Sequence, residues 1–271
     1  MCIGQNFRFL NTGIAAHIWM LLAIAILIGY SKPSSAALTQ IQDPNRCPSP
    51  YGLCWEVTGL IAKSDLQELA RIVNRLSGTK ATPFFLLNSN GGDVEVAIAI
   101  GRRLRQFQAT ALTWNDGGCY SSCVFILAGA VRRTLSTSIG IHRPYSSRTD
   151  ERGYQATQLD QRRLAKLAKD YLEEVNVLPS LYDAMVSIPP EKIKLLTKSE
   201  LESYGILEVD PVGQELDDAA ESRKYGLSKT EFLRRKAQAD VTCVRELKRG
   251  KAIGDFDSYF QCRAGVLSSR R

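Results

Sequence analysis

Apolar positions along this chain alternate between two rhythms. From residue 55 to residue 142, short continuous apolar runs take turns with stretches of helical spacing. Trp55-Glu56-Val57-Thr58-Gly59-Leu60-Ile61 reads as a strand. Ser64-Asp65 then reads as the cap of a helix on which Leu66, Leu69, Ile72, Val73 and Leu76 recur. Pro83-Phe84-Phe85-Leu86-Leu87-Asn88 is the kind of run that a strand buried on both faces needs. Asp93 opens a second helix carrying Val94, Ile98, Ile100 and Leu104. A strand over residues 109–114, a glycine-rich loop, a helix after Ser121 and a strand over residues 137–142 follow. This alternation predicts an α/β domain with a mainly parallel core.

The second half changes character. Residues 155–175 read as a long, charged amphipathic helix with Leu159, Leu164, Leu167 and Leu172 on or near one face. Pro189-Pro190 breaks the chain, and Leu195 to Leu201 reads as a strand end, a cap and another helix. Residues 211–271 show helical patches and two cysteines, which predicts a small helical C-terminal extension without a functional motif. At the other end, residues 14–30 form an apolar run broken only by His17, with Arg8 before it and Ser34-Ser35-Ala36-Ala37 after it. Small residues at that position suit a cleavage site, so residues 1–37 read as a signal peptide, with an uncleaved membrane anchor as the alternative. Residues 38–54 read as a linker. The expected location is periplasmic or secreted, or anchored in the inner membrane facing outward.

Composition adds little beyond a sizeable core. The chain has 271 residues, 44% of them hydrophobic and 23% charged, as an ordinary globular protein does. The net charge of +7 is spread along the chain, which argues against nucleic-acid binding. Cysteine usage is more telling. Cys47, Cys54, Cys119, Cys123, Cys243 and Cys262 follow the apolar run, an even count that fits disulfides in an oxidising compartment. Local pairs Cys47–Cys54, Cys119–Cys123 and Cys243–Cys262 are the simplest of the fifteen connectivities that six cysteines allow. No Cys-x-x-Cys pair is present, so no metal site is expected, and nothing in the sequence calls for a cofactor.

Three frames carry candidate chemistry. Ser121 lies in Gly117-Gly118-Cys119-Tyr120-Ser121-Ser122-Cys123, before the apolar run Val124 to Gly129. His142 lies in Ile139-Gly140-Ile141-His142-Arg143-Pro144 and is the only histidine outside the N-terminal apolar segment. Leu87-Asn88-Ser89-Asn90-Gly91-Gly92-Asp93 ends an earlier strand. A serine hydroxyl needs a base to become a nucleophile, and a near-neutral imidazole suits that task. The resulting oxyanion needs fixed N–H donors. A serine at a strand-to-helix turn has unpaired N–H groups beside it, so Ser122 N–H is one expected donor and Gly92 N–H the second. A serine capping the following helix is the bland alternative, and Asp93 reads as a helix cap.

Taken together these frames resemble the proteolytic subunit of the Clp protease. Leu87 to Asp93 is similar to that family's Asn-Ser-Pro-Gly-Gly segment, and Gly117-x-x-x-Ser121 with Phe125-Ile126-Leu127-Ala128 to its nucleophile segment. Ile141-His142-Arg143-Pro144 resembles its Ile-His-Gln-Pro segment, and Ser199-Glu200-x-x-x-Tyr204-Gly205-Ile206 its later Pro-Glu-Ala-x-x-Tyr-Gly-Leu segment. The resemblance spans residues 55–210 and implies a ClpP/crotonase-like fold of stacked ββα units. It implies Ser121 as nucleophile, His142 as base, Gly92 and Ser122 as oxyanion donors, peptide or protein substrates, and a homo-oligomer. Asn90 stands where the family has proline, and Ile193 where it has its acid. Glu191, two residues earlier on an extended segment, is the expected substitute, with Asp183 and Asp210 more distant. Lys166 raises a Ser–Lys alternative, as in signal peptide peptidase A of related fold. No Walker-type glycine loop is present, so no ATPase of its own is expected. The expected function is an exported serine peptidase without its own ATPase. The alternatives are a non-catalytic Clp-like scaffold or binding protein of the cell envelope and, less favoured, an acyl-thioester enzyme.

Overall fold

The apolar run at residue 84 begins the longest strand of the molecule, and the sheet is organised around it. The structure, a computed structural model, describes residues 37–47, 53–79, 81–114, 117–145, 154–249 and 256–269. The strands are β1 (Leu38–Gln40), β2 (Cys54–Ile61), β3 (Phe84–Gly92), β4 (Thr110–Thr113), β5 (Gly118–Tyr120), β6 (Arg132–Leu135), β7 (Ser138–Ile141) and β8 (Lys194–Leu195). The helices are α1 (Asp65–Leu76), α2 (Val94–Gln106), α3 (Cys123–Gly129), α4 (Tyr154–Glu174), α5 (Ser180–Ser187), α6 (Lys198–Ser203), α7 (Pro211–Lys224), α8 (Lys229–Arg249) and α9 (Phe256–Ser268). The apolar run at residues 14–30 lies outside the described residues. Among those described, no helix is long and apolar enough to cross a membrane.

The sheet is mixed and branched. Its path runs β1-β2-β3-β5-β7-β8, while β4 and β6 form a side branch from β3. The first half of β3 pairs in parallel with β4, and Ser89 in its second half pairs with Cys119 of β5. Only the edge pairs, β1 with β2 and β7 with β8, are antiparallel. One strand thus serves two branches, and the fork opens where the candidate frames lie. This is the mixed α/β sheet expected of a ClpP-like fold.

Helices α2 and α3 pack closely because two glycines meet. A Cβ on Gly129 would fall 2.2 Å from the Gly101 carbonyl oxygen, and one on Gly101 would fall 1.9 Å from the Tyr171 hydroxyl. That hydroxyl, on α4, donates to the Phe125 carbonyl at 2.7 Å and is fully buried. Gly101→Ala is therefore expected to lower stability by about 1–3 kcal/mol through overpacking, read as a reduced urea midpoint at unchanged slope.

Several expectations need correction. Residues 38–54 are not simply a linker: β1 pairs with β2, and Cys47 is bonded to Cys54. The backbone there is recruited because β2 would otherwise be a bare sheet edge. Ser64 makes no side-chain cap on α1; buried Asp65 accepts instead from Ala62 N–H at 2.8 Å and Leu38 N–H at 3.0 Å. The glycine-rich loop contains strand β5, and β6 arises from Arg132-Arg133-Thr134-Leu135, which has no apolar alternation. Asp93 does cap α2, accepting from Glu95 and Val96 N–H. The other two disulfides are Cys119–Cys123 and Cys243–Cys262.

Candidate active site

Parallel pairing brings the candidate residues together. Tyr120 of β5 is in register with Gly140 of β7. Ser121 and His142 therefore lie one and two residues past paired positions, at the same end of neighbouring strands about 4.8 Å apart. Ser121 N–H donates to the Gly140 carbonyl at 2.9 Å, which pins the serine backbone to β7. Ser121 adopts φ +55°, a left-handed conformation uncommon for a residue with a Cβ. This sharp turn lets the chain pass from strand to helix, since α3 starts two residues later.

The glycine frame meets the serine frame at this corner. A Cβ on Gly91 would lie 2.7 Å from Ser121 Cβ, 2.8 Å from the Tyr120 carbonyl oxygen and 2.9 Å from Ser122 N. Gly91 also has φ +94°, so two independent reasons require glycine there. Gly92 packs on the other side, where a Cβ would run into the backbone of Ile61. The peptide joining the two glycines thus borders the Ser121 corner. Ser122 N–H makes no hydrogen bond among the described residues, as the start of a helix permits. Gly91→Ala is expected to slow acylation of the corner about 100-fold, since a shift of about 1 Å is enough for that. Active-site labelling rates check it.

His142 is nearly buried, 9% exposed. Its Nδ1 lies 3.0 Å from the Arg143 carbonyl oxygen, which only accepts, so this contact selects the Nδ1–H tautomer. Nε2 is then left with its lone pair, the form a general base needs. A backbone carbonyl thereby does part of what an orienting acid does. No hydrogen bond joins the Ser121 hydroxyl to the His142 ring in this structure. The Tyr145 ring stands 6.1 Å from the imidazole, tilted by 36°.

The acid candidates are not brought to the histidine. The antiparallel register Ile141 with Lys194, carried one step further, sets Ile193 opposite His142. Glu191 makes neither an ion pair nor a hydrogen bond with it and is exposed. The expectation assumed an extended segment, but Lys192 N–H closes a turn onto the Pro189 carbonyl, so the alternation of sides is lost. Asp183 pairs with Lys169 at 2.6 Å. Asp210 caps α7 through Val212 and Gly213 N–H and pairs with Arg105 and Arg133. Lys166 is a solvated helix lysine paired with Asp170, which removes the Ser–Lys arrangement.

Two residues inside these frames have contacts that the sequence does not announce. Ser89 Oγ donates to the Gly59 carbonyl at 2.6 Å and accepts from Gly91 N–H at 3.1 Å, fixing the glycine segment. The Tyr120 ring lies over Gly118 and Gly140, where a Cβ would come within 2.4 Å and 2.6 Å of it. The signal for both was the glycine beside the motif. Opposite His142, the β8–α6 corner is fixed by a capping box in which Glu200 takes Thr197 N–H. Lys194 and the Thr197 contacts pull the Glu200 carboxyl down to about 2. A depressed carboxyl contributes fully above its ordinary range, and that contribution fades as pH falls from there through about 2. Among the described residues, no three His, Cys, Asp or Glu side chains gather as metal ligands would.

Residues 67–201 match the family model described as Clp protease. None of the curated proteins matches the chain.

Proposed function

We propose, for a chain whose residues 67–201 belong to the Clp protease family within the ClpP/crotonase-like superfamily, an exported serine peptidase that cleaves peptides or unfolded protein. Ser121 attacks the scissile carbonyl, and His142 Nε2 takes its proton and returns it to the leaving amine. The N–H groups of Ser122 and Gly92 receive the oxyanion. The observation that carries this reading is the meeting of Gly91 with Ser121 and Ser122 at the end of β5, beside the His142 strand. The Arg143 carbonyl supports the working tautomer, which makes a Ser–His dyad sufficient for slow turnover. Three local disulfides support an oxidising location. Family membership supports assembly into a homo-oligomer. The apolar run at residues 14–30 is proposed as the export signal or anchor, and the chain draws on no ATPase of its own.

A second reading has a specific observation behind it. Ile193 stands opposite His142, and among the described residues no acid is bonded to the imidazole, as in a non-catalytic scaffold of the same fold. Hydrolysis of a denatured protein without nucleotide separates the two. The peptidase reading expects cleavage that His142→Ala lowers by at least about 1,000-fold. The scaffold reading expects no cleavage by either form. Ile193→Asp extends the test: on the peptidase reading it raises the acylation rate about tenfold or more by supplying the absent carboxylate.

A further inference from the structure

We infer that the Cys119–Cys123 disulfide is a positioning device for the Ser121 corner, not a staple of the fold; the inference rests on Ser121 being the nucleophile. The bridge straddles that residue. Cys119 sits in β5 between two partners, in register with Ser89 of β3 and Ile139 of β7. Cys123 is the first residue of α3. Their Cα atoms are 5.2 Å apart, and both side chains are fully buried. The helix start is thus tied directly to the middle of the sheet, and the residue halfway between the two anchors is the one held at φ +55°.

The local bonding shows why a tie is useful there. On the helix side, short-range bonds close the turn: Val124 N–H to the Ser121 carbonyl and Phe125 N–H to the Ser122 carbonyl. A left-handed residue with a Cβ is strained and persists when its surroundings over-determine it. Three constraints converge on this one: Ser121 N–H on the Gly140 carbonyl, Gly91 against its Cβ, and the bridge beneath. Glycine would relieve the strain but would remove the hydroxyl.

The same bridge is poorly suited to global stabilisation. The entropy removed from an unfolded chain grows with the length of loop closed. The Cys119–Cys123 separation is 4, against 7 for Cys47–Cys54 and 19 for Cys243–Cys262, which joins α8 to α9. The longest bridge is therefore the natural control for a purely structural role.

The test compares C119A/C123A with C243A/C262A in the full chain, with the remaining disulfides formed. A fluorophosphonate provides the maximal labelling rate constant and the probe's dissociation constant separately, and hydrogen exchange is followed across residues 118–125. The expected result for C119A/C123A is a fall of about tenfold or more in the maximal rate with the dissociation constant within about twofold, and faster exchange at Ser121 N–H. C243A/C262A is expected to lower the melting temperature and leave the maximal rate unchanged. Unchanged exchange at the corner, or an unchanged maximal rate in C119A/C123A, overturns the inference. If the wild type takes no label, the peptidase reading fails, and exchange alone decides whether the bridge holds the corner. Should the alanine pair not fold, C119S/C123S is measured in its place against the same outcomes.

Discussion

Ser121→Ala is expected to cut peptidase activity about 10⁶-fold while leaving the fold intact. Among the described residues its hydroxyl makes no hydrogen bond, and the residue is held by backbone: its N–H on the Gly140 carbonyl and its carbonyl on Val124 N–H. Alanine keeps both bonds and the packing of Cβ against Gly91. Loss of a serine nucleophile costs about 10⁶-fold in turnover in comparable hydrolases, which would put this variant below detection. Unchanged melting beside lost activity would assign the loss to chemistry. A variant that retained activity would shift the role to Ser122, whose Oγ is buried and has no hydrogen-bond partner.

Arg133→Ala is expected to cause the largest loss of stability among single substitutions, about 3–5 kcal/mol, the range for breaking a buried charge pair. The Arg133 side chain is 3% exposed and that of Asp210 is 1% exposed. The guanidinium donates to the carbonyls of Ala128 at 2.8 Å, Ala130 at 3.0 Å, Val175 at 3.2 Å and Gly205 at 3.0 Å. It thereby joins the end of α3, the end of α4, the turn after α6 and, through Asp210, the cap of α7. Burial lowers the Arg133 pKa, and Asp210 opposes that shift. Without Arg133, four carbonyls lose a donor and Asp210 keeps only Arg105 as a charged partner. Arg133→Lys is expected to recover little of the loss, because one ammonium cannot span five acceptors spread around a planar fork. Urea unfolding measures both variants.

Arg133 also shows where sequence reading stops. A doubled arginine in Arg132-Arg133-Thr134-Leu135 has no apolar alternation, so neither β6 nor its buried hub was visible. Its value comes from carbonyls brought together over 70 residues of chain, which no local pattern encodes. By contrast, β3, α2 and the helix after Ser121 were legible, because continuous burial imposes an apolar run and helical burial imposes spacing. The serine, histidine and glycine frames were legible for a related reason. Left-handed corners and close backbone approach restrict residue choice, as at Gly91. Strand β5 stayed hidden inside the glycine-rich loop because three residues cannot show a period. Glu191 is expected on an extended segment, but Lys192 N–H closes a turn onto the Pro189 carbonyl, which ends the alternation of sides, and Ile193 stands across from His142.

The proposed function stands or falls with Ser121 being an activated nucleophile served by His142. Labelling of the folded, oxidised protein with a fluorophosphonate, followed by mass-spectrometric mapping of the adduct, tests it most directly. One adduct per chain is expected, on Ser121, and it disappears in His142→Ala. An unlabelled protein, or an adduct that persists in His142→Ala, would contradict it.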